Sequence, residues 1–192
     1  MSKRKEPVRM NWDVDITMEL KEFMLDILAR LASEVELVLD GLTPEDLNIL
    51  PKPDSNSIGW LIWHTTRSQD RLNADLFGED QLWVSEKWHL KFNRPPDQKD
   101  TGVGHTSEQV AAFHAPDSKT LLDYYRIVSK RTQEYINTRL TEDDLNRQVW
   151  SPTMESMGTV EGRLIGNIYN FAHIGQAGYV RGLLKGKGWY AR

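Results

Sequence analysis

The feature that most constrains this chain is a set of long stretches in which apolar residues recur every three or four positions. In the first, Leu20, Phe23, Met24, Ile27, Leu28, Leu31, Val35 and Val38 fall on one stripe of an α-helix, and a strand would scatter them over both faces. Gly41 ends that stretch as a glycine does just past a helix. A second helix is expected from near Ser57 to about Phe77, with Gly78 following and no proline between. A third, capped by Asp117 or Ser118, carries Leu121, Leu122, Tyr125, Val128, Thr132, Tyr135 and Ile136 inward. The fourth runs from near Thr159 to about Leu184, before Gly186. No convincing strand pattern appears, so the expected fold is all-α: a four-helix bundle with a long connection between helices 2 and 3.

That connection, Glu79 to Gly104, holds Trp83, Trp88, Pro95 and Pro96 without a sustained period. It reads as a long loop with short helical turns, its tryptophans either closing over the bundle or walling a pocket. Thr106 with Gln109 marks a capping box for a short helix reaching Phe113. An internal echo supports the bundle: Gly41-Leu-Thr-Pro-Glu-Asp-Leu-Asn48 returns as Arg139-Leu-Thr-Glu-Asp-Asp-Leu-Asn146, each copy after a long helix. Each reads as a capped single turn, and together they suggest two helix–turn–helix halves.

Composition narrows the chemistry. The 192 residues fit one domain spanning the chain, with 1–12 as a flexible N-terminus. A net charge of −4 with no basic stripe disfavours nucleic acid. No stretch of about 18 apolar residues exists for a membrane and no apolar run of signal length follows the basic start, so a cytoplasmic protein is expected. There are no cysteines, so any metal must rest on histidine and oxygen ligands.

The second helix changes character midway: Ile58 to Trp63 is apolar on nearly every face, Thr65 to Arg71 is seven polar residues in a row, and His64 stands at the change. On the last helix, Tyr169, His173 and Gln176 follow at steps of four and three and share a face. Five glycines, at 162, 166, 175, 178 and 182, interrupt that helix, most simply for close packing of helix on helix. Trp60 and Trp63 read as core, while His89, His105 and His114, in irregular segments, read as solvent-exposed.

With Gly59-Trp-Leu-Ile-Trp-His64, Gly102-Val-Gly-His-Thr-Ser-Glu-Gln-Val110 and Ala172-His-Ile-Gly-Gln176, the chain resembles, over nearly its whole length, the DinB-like family. This is a group of bacterial four-helix bundles that includes thiol-dependent transferases and isomerases. The resemblance implies a divalent metal, zinc or nickel, held by one histidine of the second helix and an HxxxH pair of the last. His64 matches the first ligand and His173 the third, whereas the second falls on Tyr169. Gln176, His105 or His114 could complete the set. The activity so implied is a metal-dependent thiol S-transferase or related enzyme acting on a small electrophilic substrate, with a low-molecular-weight thiol as co-substrate. Tyr169 would serve as third ligand or proton donor and Arg67 would orient an anionic group. Arg67 and Arg71, one and two turns beyond His64 on a similar face, could meet a carboxylate or thiol-bearing substrate, or else form salt bridges with Asp70, Asp75 or an acidic neighbour. The alternative is a non-catalytic bundle with a degenerate metal site that binds a small ligand or protein partner. Members of the family often pair, so a homodimer is expected too.

Overall fold

Apolar periodicity and capping place the long helices where the sequence puts them. The computed structural model describes residues 19–190, so the expected flexible segment 1–12 lies outside the described residues. Helix α1 spans Leu20–Leu39 and buries Met24, Leu28, Val35, Val38 and Leu39. The chain then turns through Gly41 at φ 67° into α2, Pro44–Asn48, which opens on a capping box: Asp46 N–H donates to the Thr43 hydroxyl, and Thr43 N–H to the Asp46 carboxylate. Helix α3, Ile58–Phe77, starts on Ser57, whose hydroxyl accepts from Trp60 N–H, and stops on the left-handed Gly78.

The long connection holds two single-turn helices, α4 (Leu82–Ser85) and α5 (Trp88–Lys91). Its tryptophans close over the bundle: Trp83 is 0% and Trp88 6% exposed. After α6 (Ser107–Ala111), with the expected Thr106–Gln109 box, comes α7 (Ser118–Thr138), capped by Asp117. The second copy of the repeated turn is a 3-10 turn, Glu142–Asp144, in which Thr141 donates to the Asp144 carboxylate from both backbone N–H and hydroxyl.

Two features depart from expectation. A short antiparallel hairpin, β1 (Gln148–Ser151) and β2 (Ser156–Thr159), pairs Val149 with Gly158 and Trp150 with Met157. Four residues with a single buried apolar side chain, Val149, are too few for a two-residue period to register. The fourth helix is also two helices, α8 (Val160–Tyr169) and α9 (Phe171–Lys185), joined through Asn170. There the backbone tightens, Asn170 N–H bonding to Ile168 O and His173 N–H to Asn170 O. The Asn170 side-chain amide instead donates across to Thr65 O on α3.

Helix α3 packs against α7 on one side and α8 and α9 on the other, and α1 also touches α7 and α9. This makes α3 the central helix, so even its polar half is buried: Arg67, Asp70 and Asn73 are each 0% exposed. Polar groups taken from water must bond to one another. The Gln69 amide donates to Thr132 on α7, Thr132 donates to Asn73, and Asn167 on α8 also donates to Asn73. The glycines of α8 and α9 divide: a Cβ at Gly166 would meet Leu72 at 2.8 Å and one at Gly178 would meet Trp189 at 3.3 Å, whereas Gly175 faces open space.

Candidate functional site

Antiparallel packing of α3 against α8 and α9 sets His64 opposite His173, with ring centroids 4.8 Å apart and planes at 75°. Four side chains of α3, His64, Ser68, Arg71 and Asp75, follow at steps of four, three and four and so line one seam. From the other helices Arg163 reaches Asp75 at 3.2 Å, and Asn167 and Asn170 lie between Arg163 and His173 in sequence.

Each histidine has one ring nitrogen tied off. His64 is 7% exposed and stacks on Trp60, 4.8 Å away at 12°. Its Nδ1 lies 2.5 Å from the Thr101 carbonyl oxygen, which can only accept, so the Nδ1 proton is committed there and Nε2 keeps its lone pair. His173 is held likewise, its Nδ1 3.0 Å from Gln176 Oε1. An imidazole whose Nδ1–H is fixed by a carbonyl oxygen is oriented to offer Nε2 as a ligand or acceptor. Burial pushes the His64 pKa down to about 4, against the pull of the Thr101 carbonyl, and His173, Arg71 and His105 lower it further.

The loop that holds His64 is itself stapled. His105, expected in solvent, is turned inward with its side chain 10% exposed. Trp60 Nε1–H donates to its Nδ1 at 3.3 Å, and its Nε2–H donates to Asp100 at 3.0 Å. Asp100 also takes two bonds from Arg94, at 2.6 and 3.2 Å. Burial works against the Asp100 carboxylate, but Arg94 and His105 outweigh it and hold its carboxyl below the ordinary carboxylate range. Two residues on, Gly102 sits at φ 87°, where a Cβ would stand 2.9 Å from both His64 Nδ1 and the Trp60 ring. Gly102→Ala is therefore expected to cost roughly 1–3 kcal/mol, from a backbone conformation closed to alanine and a clash with the histidine. Thermal unfolding of the variant, with the His64 ring signals followed by NMR, measures both consequences.

Two of the expected site residues have other surroundings. Arg67 is 0% exposed, and its donors go to the Asp100, Asp97 and Gln98 carbonyls, to Asp70 and to Tyr124. Its guanidinium also lies 4.5 Å over the Trp83 ring. It ties the long connection to α3, and the pairing with Asp70 is the reading that holds. Tyr169 is 65% exposed and its ring meets Phe171, with centroids 6.1 Å apart; the break at Asn170 interrupts the helical face on which the sequence put it with His173. His114 is exposed as well, while His89 is half-buried with Nδ1 near Arg94 O.

A catalytic zinc centre takes three protein ligands and keeps one open position. The two histidines would supply two at most, and no group of three His, Asp or Glu side chains that could hold a metal forms among the described residues. The donor set therefore does not complete such a centre. A cleft of about 870 Å³, lined by neither histidine, opens between Leu61 on α3 and Gln176, Tyr179 and Leu183 on α9. That volume lies within the range of small-molecule sites.

A four-helix bundle with a histidine from its second long helix facing one from its last is the class that fold and site define. The chain belongs to the DinB superfamily, whose family model matches residues 27–173. Among solved structures it is similar to a conserved protein from Enterococcus faecalis, with 29% identity, a TM-score of 0.77 and coverage of 88% of this chain and 99% of that one. It also shares its fold with YfiT from Bacillus subtilis, described as "a probable metal-dependent hydrolase with an unusual four-helix bundle topology". There the identity is 15%, the TM-score 0.54, and the coverage 94% of this chain and 93% of that one. No protein of curated function matches the chain. No helix among the described residues is long and apolar enough to cross a membrane.

Proposed function

We propose that the seam between α3 and the last two helices is a small-molecule site on a DinB scaffold whose metal centre is degenerate. The observation that carries this reading is the pairing of His64 and His173 at 4.8 Å while Tyr169, where the family pattern calls for the remaining histidine, turns its ring to solvent. Two imidazoles alone are a weak metal site. Calorimetry should find zinc and nickel bound weakly or not at all by the untagged wild-type chain, and a dissociation constant of about 1 μM or below would overturn the reading.

One observation favours a second reading, a metal-dependent thiol S-transferase acting on a small electrophile. Both Nε2 lone pairs are uncommitted, and burial keeps His64 unprotonated down to about pH 4, so no proton competes with an ion there. The same titration decides between the two. Tight zinc or nickel binding by untagged wild type supports the enzyme, and its absence supports the degenerate site.

A further inference from the structure

Most arginines turned into the fold among the described residues have acceptors for their guanidinium groups, although the Arg181 Nε has none. Arg67 spends its donors on carbonyls, Asp70 and Tyr124. Arg131 bonds to Asp80 O and Glu79, and Arg181 to Val38 O and Asp40 O. Arg94 holds Asp100. Arg71 is different. It is half-buried and its Nε is shielded from water without a hydrogen bond. Desolvating a guanidinium without acceptors costs free energy that a folded chain ordinarily avoids. Its surroundings include Asp75, Arg67 and Arg163.

Arg163 is only partly provided for. Its Nε is 3.2 Å from Asp75 Oδ2, in an ion pair without hydrogen-bond geometry, and its Nη1 meets the Met154 sulfur at 3.9 Å. Its Nη2 is buried with no partner, although the side chain is 10% exposed. The guanidinium lies flat on β2, where a Cβ at Gly158 would come 3.0 Å from Arg163 Cζ. Asp75 is ion-paired with Arg163 and is only an electrostatic neighbour of Arg71, so both guanidiniums keep buried donors without an acceptor.

We propose that Arg71 and Arg163 form the binding site for the carboxylate of a small organic acid whose other end lies toward the His64–His173 pair. The proposal rests on the small-molecule reading of the seam and names the chemistry of its ligand. A carboxylate is planar and accepts two parallel N–H bonds, the geometry a guanidinium fork presents. A tetrahedral phosphate fits that planar fork less well. Seven residues of helix separate Arg71 from His64, about 10 Å along the axis, so a short-chain acid spans the distance. Ser68, one turn from each, is mostly buried at 8% exposure on the same face and supplies a hydroxyl along the way.

The test uses the full chain in metal-free buffer containing EDTA, with sodium glutarate as the probe and inorganic phosphate and 1,5-pentanediol as comparators. Glutarate should shift the Arg71 Nε–H signal saturably in NMR titration and raise the melting temperature, as a ligand specific to the native state does. Phosphate should bind about tenfold more weakly or worse, and the diol should leave the Arg71 signal unmoved. Arg71→Met and Arg71→Gln should each weaken glutarate binding by about tenfold or more. Without ligand, Arg71→Met should melt roughly 2–5 °C higher than wild type, because an unpaired guanidinium has been removed. Glutarate binding that is undetectable in wild type, or unchanged in both variants, would overturn the carboxylate site. So would a ligand-free Arg71→Met that melts below wild type, since that marks a structural arginine. If the diol alone moved the His64 and His173 ring signals, the carboxylate site would fail while the small-molecule reading of the seam survived.

Discussion

Replacing Asp70 by alanine is expected to destabilise the protein by about 3–5 kcal/mol, the scale for removing one partner of a buried charge pair. Every group around this carboxylate is a donor or a cation, including Arg131, whose Nη1 lies 3.9 Å from Oδ1. Leu82 N–H reaches Oδ1 at 2.9 Å, while Trp83 N–H at 2.8 Å, Tyr124 O–H at 2.7 Å and Arg67 Nη1 at 3.5 Å converge on Oδ2. Removing the carboxylate strands a fully buried guanidinium, a buried phenol and the first turn of α4 together. Because Arg67 also binds the carbonyls at 97, 98 and 100, the damage should reach the loop that carries Thr101 and Gly102. Denaturant unfolding gives the magnitude, and loss of the His64 ring shift would report the loop. The double variant Arg67→Met, Asp70→Leu should be less destabilised than Asp70→Ala, since no charge is then left without a partner. A single variant within 1 kcal/mol of wild type would contradict this account of Asp70.

The second large effect is on acid stability. His64 binds its proton near pH 4 in the native state and near pH 6.5 when unfolded. Between those values the unfolded chain takes up a proton that the native site refuses. Native stability is therefore undiminished above pH 6.5 and falls as pH drops toward 4, with a total loss of about 3 kcal/mol from this residue. His64→Asn keeps a donor for Thr101 O and cannot titrate. The wild-type stability, taken relative to this variant, should decline across pH 6.5 to 4. Asp70, whose carboxyl burial raises, titrates in both proteins and cancels in that difference. Parallel pH profiles would show that His64 is not desolvated as described.

The helix boundaries were legible because caps act locally. Ser57, Gly78, Asp117 and the Thr106–Gln109 pair bond within three or four residues, so their signal is contained in the sequence around them. The break at Asn170 was not legible, because it accompanies an amide reaching Thr65 O, 105 positions away. The hairpin was missed since four-residue strands with one buried apolar side chain carry almost no period. His105 was misread for a related reason: its partners, Trp60 and Asp100, come from separate segments, and only folding shows that an irregular stretch is buried.

For the site, the sequence placed a histidine on each of two helices and a run of polar residues beyond the first. Spacing alone could not say which arginine is consumed by the fold. Arg67 and Arg71 are four residues apart on one helix, yet one is spent on three backbone carbonyls, Asp70 and Tyr124 while the other has no hydrogen bond. What the sequence by itself determined was the bundle, its caps and a histidine on each of two helices, since helical period and capping depend on neighbours within a turn or two. The tertiary structure alone decided that the histidines meet with both Nε2 atoms uncommitted, that Tyr169 stands outside, and that the Arg71 Nε is buried without an acceptor. Each of these depends on which distant carbonyls and carboxylates reach a side chain first, and hydrogen bonds across the fold are not encoded in local spacing.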